Sequence, residues 1–203
     1  MAGEIFVITA PSGTGKTTLL QPLMAADPRL QFSISYTTRP PRPGEVDGRD
    51  YFFVSVAEFR RLRDQGALVE WVEQFSFGYG TSEEWVRRTA ADGADLVFDL
   101  DSRGARAIKN AFPHAVLIFI LPPSLAELTR RLQGRGPLAP EELARRLARG
   151  RSELQEAAWF DYLVLNDDLD TARSQLQAVM TAARCRTARL WPDLAARYRD
   201  DTP

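Results

Sequence analysis

The sequence predicts an α/β protein: a parallel sheet covered by helices, with a small, mainly antiparallel lobe inserted into it. Short apolar runs alternate with helical stretches along most of the chain, the texture of repeated strand–helix–strand units. Those runs lack polar alternation, as strands covered on both faces do. Between residues 31 and 81 the texture changes to turn-rich sequence with short alternating runs, which suits a small antiparallel sheet.

The first strand is read at residues 4–9, a β-branched and aromatic run that the glycine-rich turn 10–15 ends. Residues 16–26 read as a helix. The inserted lobe follows, with strand-like runs at 51–54 and 67–73. Core strands resume at 95–100, 115–121 and 162–165, separated by helical stretches at 102–111, 124–132, 141–158 and 169–184. A Gly/Pro loop at 133–140 breaks the pattern between two Arg-rich helices. No internal repeat is visible, and the tail beyond 187 is a polar mixture of Arg and Asp that adds at most a loose helix.

Composition narrows the function classes. A chain of 203 residues can bury a full core without disulfides or metal staples. Its 26 Lys+Arg against 27 Asp+Glu give a net charge of −1, so no global field steers it to nucleic acid or membrane. One cysteine, Cys185, allows no internal disulfide, and no Cys/His cluster offers metal ligands. The longest apolar run, 115–121, is too short to span a bilayer, and the first residues lack the pattern of a secretory leader. A cytoplasmic protein without membrane or nucleic-acid partners is expected. His114, in a Phe-Pro-His turn, reads as a surface residue and Cys185 as an inert one.

The turn Ala10-Pro11-Ser12-Gly13-Thr14-Gly15-Lys16-Thr17 follows a strand and opens a helix. It matches the phosphate-loop pattern GxxxxGK[ST] except that Ala10 stands at the first glycine. Gly13 and Gly15 let backbone N–H groups turn inward around phosphate oxygens, and the helix start adds donors. Lys16, one of two lysines in the chain, would hold the β- and γ-phosphates as a point charge. The Thr17 hydroxyl would ligate Mg²⁺, an ion that takes a few protein oxygens beside water and phosphate. A plain Gly/Ser/Thr linker is the alternative, and the strand–turn–helix setting argues against it.

The stretch from Ser35 to Tyr51 holds Arg39 and Arg42 among prolines, a stiffened cationic fork. Guanidinium groups bind phosphate oxygens through paired hydrogen bonds. An Arg/Pro surface loop or a proline-rich peptide ligand would carry the same composition. A phosphate loop upstream favours a second phosphate site, which a kinase needs.

With these two stretches in place, the chain resembles guanylate kinases. The resemblance runs through residues 10–17, Thr37-Thr38-Arg39-Pro40-Pro41-Arg42-Pro43-Gly44-Glu45, Glu70-Trp71, Tyr79-Gly80-Thr81 and Asp99-Leu100-Asp101. It continues at Leu121-Pro122-Pro123-Ser124, Arg131-Leu132-Gln133-Gly134-Arg135-Gly136 and Asn166-Asp167-Asp168, and covers roughly residues 3–184. It implies transfer of a phosphoryl group from ATP, with Mg²⁺, to GMP, on a P-loop three-layer core with a GMP-binding lobe and a helical lid. The implied division is core 1–32, 82–128 and 159–184, lobe 33–81, lid about 129–158, and a tail at 185–203.

Carried over by position, the resemblance puts Ala10, Pro11, Ser12, Gly13, Thr14, Gly15, Lys16, Thr17, Thr18 and Asn166 at ATP. It puts Ser35, Arg39, Arg42, Tyr51 and Tyr79 at the GMP phosphate and Glu70, Thr81 and Asp101 at guanine. Asp99 falls close to the metal and phosphates, reaching the ion through water. Lys16, Arg39, Arg135 and Arg146 are the expected catalytic cations, with Arg131 behind them. The base assignment has its own chemistry: guanine presents N1–H and N2–H side by side, a carboxylate accepts both, and Thr81 could donate to O6. Adenine would leave that carboxylate unpaired. No general base is needed, since the acceptor phosphate is already ionised.

Two departures stand out. Ser76-Phe77-Gly78-Tyr79 replaces the commoner Gly-Asn-Tyr-Tyr, and Ser102-Arg103 follows Asp101, where Arg103 is expected to add positive charge at the cleft rim. A guanylate-kinase-like scaffold module, which binds phosphopeptides, is the reading from another class; the presence of Lys16, Thr17, Arg135 and Arg146 argues against it. A kinase for another phosphorylated acceptor is a third reading, and the intact run 39–45 with Glu70 and Thr81 argues against that.

Overall fold

The computed structural model describes residues 2–74, 76–134 and 139–198. The chain runs through β1 (Ile5–Thr9), α1 (Lys16–Ala26), β2 (Leu30–Phe32), β3 (Tyr36–Thr37), β4 (Phe52–Phe53), α2 (Val56–Asp64), β5 (Leu68–Gln74), β6 (Phe77–Ser82) and α3 (Glu83–Ala91). It continues through β7 (Asp95–Asp99), α4 (Ser102–Ala111), β8 (Val116–Leu121), α5 (Leu125–Gln133), α6 (Pro140–Gln155), a 3₁₀ turn (Glu156–Trp159), β9 (Tyr162–Leu165), α7 (Leu169–Arg184), α8 (Thr187–Leu194) and a last 3₁₀ turn (Ala195–Tyr198).

The larger sheet is parallel, in the order β2-β7-β1-β8-β9. Alternation along β1 explains its all-apolar sequence. Phe6 and Ile8 pack with Leu19 and Leu23 of α1 and Leu176 and Met180 of α7. Ile5 and Val7 pack on the other face with Val86 of α3 and Ala105 and Ile108 of α4. A helix layer therefore lies on each face, as expected of a strand with no polar alternation. The edge strand β9 departs from that expectation. Val164 is buried against α7, but Leu163 and Leu165, which alternate onto the other face, are 54% and 48% exposed.

The smaller sheet runs β4-β3-β6-β5. Its β3–β6 and β5–β6 pairs are antiparallel, as predicted, whereas β3 and β4 pair in parallel. The long connection 38–51 makes that possible, since a parallel neighbour requires the chain to return to its starting end. Helix α2 was invisible to apolar periodicity because Phe59 is its one buried residue. Its signature is the cap: the Ser55 hydroxyl accepts the Glu58 N–H at 3.1 Å, an S-x-x-E start. Ser82 caps α3 in the same way through the Trp85 N–H.

Ionic contacts fasten the C-terminal helices to the start of β7, the end of α1 and the residue before β1. Arg184 reaches Asp95 at 2.6 Å and Asp27 at 2.8 Å, and Arg189 reaches Glu4 at 3.1 Å. Arg189 also donates to the Ala2 carbonyl at 2.8 Å. Among the described residues no helix is long and apolar enough to cross a membrane.

Candidate nucleotide site

At the C-terminal end of β1 the backbone turns sharply. Gly13 and Gly15 take φ values of 94° and 97°, open to glycine without steric cost. Ala10 has no such requirement, since Ser76 is the one non-glycine residue with positive φ among those described. Gly15 precedes α1, which has no side-chain cap, so its first N–H groups are left for a ligand. Lys16, on the first turn of α1, forms an ion pair with Asp99 at the end of β7. Thr17 and Thr18 are exposed beside it.

The loop is braced from outside. Leu132 and Leu128 of α5 lie against Gly13, where a Cβ would come within 2.9 Å of Leu132. The Asn166 amide donates to the Thr14 carbonyl at 2.6 Å. Arg131 donates to the same carbonyl and to the Asn166 carbonyl, each at 3.1 Å, and to Glu127 at 2.7 Å. Arg130 and Arg131 together hold the Glu127 carboxyl down at about 2. A cavity of about 370 Å³ opens beside this brace, lined by Gly13, Gly15, Thr18, Arg131, Asn166 and Asp167 among others. Asn166 thus lines the cavity, and its amide supports the loop. Arg131 does more than the sequence suggested, and the signal available was its spacing of four from Glu127, a helical ion pair.

The second region lies in the small sheet. Arg39 is 9% exposed, with its guanidinium over the Tyr51 and Phe53 rings at 5.4 and 5.8 Å. It donates to Glu45 at 2.8 Å and to the Pro40 carbonyl at 2.8 Å. The Tyr79 ring stands 6.1 Å from Tyr51, so Arg39, Tyr51 and Tyr79 lie together. Arg42 is exposed on the turn that follows.

At the base of the lobe, β5 and β6 place Glu70 opposite Thr81, next to a bulge between Leu68 and Glu70. Such a bulge re-aims a side chain, and Glu70 is only 8% exposed. Thr81 donates to Glu70 at 2.6 Å, and Ser35 lies 3.0 Å from the Thr81 oxygen. Thr81 has one hydroxyl proton and it lies on Glu70, so Ser35 is the donor to Thr81. In this arrangement the Thr81 hydroxyl proton lies on Glu70, and Ser35 and Thr81, assigned by the sequence to phosphate and base respectively, are bonded to each other. Burial pushes the Glu70 carboxyl up, its bond from Thr81 opposes this, and nearby Asp101 adds to the rise.

Asp101 caps α4, accepting from the N–H groups of Arg103 and Gly104 at 3.1 and 3.0 Å. The Arg103 guanidinium returns to Asp101 at 3.4 Å, so its charge at the rim is partly matched. Arg146 pairs with Glu142 one turn back at 2.8 Å. Its helix rests on the loop through buried Gly150, beside Leu128 and Pro11. Arg135 lies outside the described residues. Among those residues no group of three or more His, Cys, Asp or Glu gathers as a metal cage. The hard oxygens of Thr17 and Asp99 suit a Mg²⁺ ion completed by phosphate and water.

The family model for guanylate kinase matches residues 2–183. The chain belongs to the guanylate kinase family. The "Guanylate kinase" of Aromatoleum aromaticum is 49% identical over 188 residues, covering 93% of this chain and 92% of that protein. The "Guanylate kinase" of Geobacter sulfurreducens is 45% identical, with 93% of each covered. Among solved structures, the guanylate kinase from Anaplasma phagocytophilum superimposes with a TM-score of 0.71 at 29% identity, covering 97% of this chain and 96% of that one.

Within the guanylate kinase family this chain's 76–79 turn has a packing explanation. Ser76 takes φ 66° at the hairpin tip, and Phe59 of α2 fills the space above Gly78, where a Cβ would fall 2.7 Å from its ring. Gly78 also exchanges hydrogen bonds with Thr38, at 2.8 and 3.0 Å. Gly78→Ala is expected to cost about 1–3 kcal/mol through overpacking. Urea denaturation checks this, and an unchanged midpoint would refute the contact.

Proposed function

We propose that the chain transfers the γ-phosphoryl group of ATP to GMP, giving ADP and GDP, with cleft ends formed by the loop 10–17 and by Glu70. The observation that carries this reading is the buried Glu70 carboxylate, held by the Ser35–Thr81 chain. An ionised carboxylate accepts the paired N–H groups of guanine, and adenine lacks that pair.

The proposed division is a core of 1–32, 82–128 and 159–184, a GMP-binding lobe of 33–81 and a lid of about 129–158. Loop N–H groups and Lys16 receive the donor phosphates, while Asn166 and Arg131 keep the loop in shape. Arg39, Arg42, Tyr51 and Tyr79 receive the acceptor phosphate, with Ser35 supporting the base-side hydroxyls, and Asp101 stands beside the base. Positioning and neutralisation of charge carry most of phosphoryl transfer. Thr17, with Asp99 through water, would hold Mg²⁺, which would supply neutralisation of the charge developing on the phosphates. Arg135 and Arg146 are proposed to reach the phosphates as the lid closes, which excludes water so that GMP is the acceptor. Intracellular nucleotides as substrates agree with a cytoplasmic location.

An ADP-release assay with ATP and Mg²⁺ against GMP, AMP, CMP and UMP tests the reading. Turnover with GMP alone is expected. Turnover with another acceptor would mean that Glu70 reads a different base, and turnover with none would overturn the kinase assignment.

A further inference from the structure

We infer that Glu45 is the positioning residue of the acceptor-phosphate clamp, bonded at once to Arg39 and to the backbone of Arg42. The inference rests on the proposed role of those two arginines. Residues Arg42, Pro43, Gly44 and Glu45 form a tight turn, closed by the Glu45 N–H on the Arg42 carbonyl at 3.0 Å, with Gly44 at φ 89°. Proline second and positive-φ glycine third are the residues a type II turn takes. The Glu45 carboxylate then reaches back across it. One oxygen accepts from the Arg39 guanidinium at 2.8 Å and the other from the Arg42 N–H at 2.7 Å.

Arg39 needs such a partner. Its side chain is nearly buried, and a buried unpaired charge is costly. Glu45 and the Pro40 carbonyl occupy two of the five guanidinium N–H donors, and the guanidinium carbon lies over the Tyr51 and Phe53 rings. The guanidinium is thereby fixed in angle before any phosphate arrives, with donors left to face it. Preorganisation of this kind lowers the cost of binding.

Glu45 also places a negative charge near the incoming phosphate, and removing it would relieve repulsion. The two effects have opposite signs, which makes the substitution decisive. In steady-state assays, Glu45→Ala is expected to raise KM for GMP about tenfold, the scale of one charge-assisted hydrogen bond. Glu45→Gln, which keeps one acceptor for Arg39 but turns an amide toward the Arg42 N–H, is expected to raise it about threefold. In both variants kcat and KM for ATP stay within about a factor of three, and inhibition by guanosine, which has no phosphate, is unchanged.

A fall in KM for GMP, or no change, would show that repulsion governs and would overturn the inference. A parallel rise in the guanosine inhibition constant would also overturn it, by showing a general loss of lobe structure. Should Glu45→Ala fail to fold, Glu45→Gln alone decides between these outcomes. Absence of GMP turnover in the unsubstituted protein would instead overturn the proposed function, a result distinct from any of these.

Discussion

Replacing Lys16 by alanine is expected to lower kcat for GMP phosphorylation by about a thousandfold, the upper range for losing one preorganised donor at a site of developing charge. Lys16 is paired with Asp99, so the substitution takes away more than a cation. It leaves the Asp99 carboxylate unneutralised beside the position of the donor phosphates, where it repels them. Arginine would not restore activity, because its planar fork is larger than the ammonium point charge that the loop encloses. GMP affinity, read by calorimetry without ATP, is expected to stay within about twofold, since Glu70 lies on a strand of the other sheet and Arg39 in the bend that follows its β3. A loss of activity smaller than about tenfold would refute the role assigned to Lys16.

Glu70→Gln is expected to lower kcat/KM for GMP by about a thousandfold, because a site built to accept two N–H groups would then turn an amide donor toward one of them. The same carboxylate sets a pH dependence. Burial pushes Glu70 upward, with Asp101 adding to the effect and Thr81 opposing it. In the proposed reading guanine is accepted by the ionised form, so affinity is expected to fall as pH drops through this raised value. The loss therefore sets in at higher pH than for an ordinary glutamate and steepens to about tenfold per pH unit. Guanosine inhibition measured against pH isolates this limb, since guanosine has no phosphate to titrate. The limb should vanish in Glu70→Gln, and its persistence would assign it to another group. Stability moves the opposite way. A folded-state value raised above the unfolded one contributes stability that is full below the unfolded value and is lost as pH rises through the folded one. Acid therefore favours the empty lobe while it disfavours guanine.

Local patterns made the donor half of the site readable. A strand, a glycine turn and a lysine at a helix start lie within residues 5–16, and each has a conformational signature of its own. The acceptor half was readable in composition but not in arrangement. Nothing in the sequence around Ser35 shows that its hydroxyl meets Thr81, because β3 and β6 must first pair. Arg131 meets the Thr14 carbonyl only after α5 is laid over the loop. Helix α2 escaped because one buried phenylalanine makes no periodic stripe. The apolar run of β9 looked fully covered because sequence does not state which strand lies at an edge.

The clasp between Arg189 and the residues just before β1, Ala2 and Glu4, bears on how the protein is made. Its hydrogen bond to Ala2 spans 187 positions, while β1, the central strand, pairs with β7 and β8. The strand synthesised first must wait about half the chain for its neighbours and nearly all of it for its last fastening. Contacts of such sequence separation fold slowly. The emerging chain therefore leaves the ribosome with β1 unpaired and apolar on both faces, the kind of exposed segment that chaperones shield until the sheet closes.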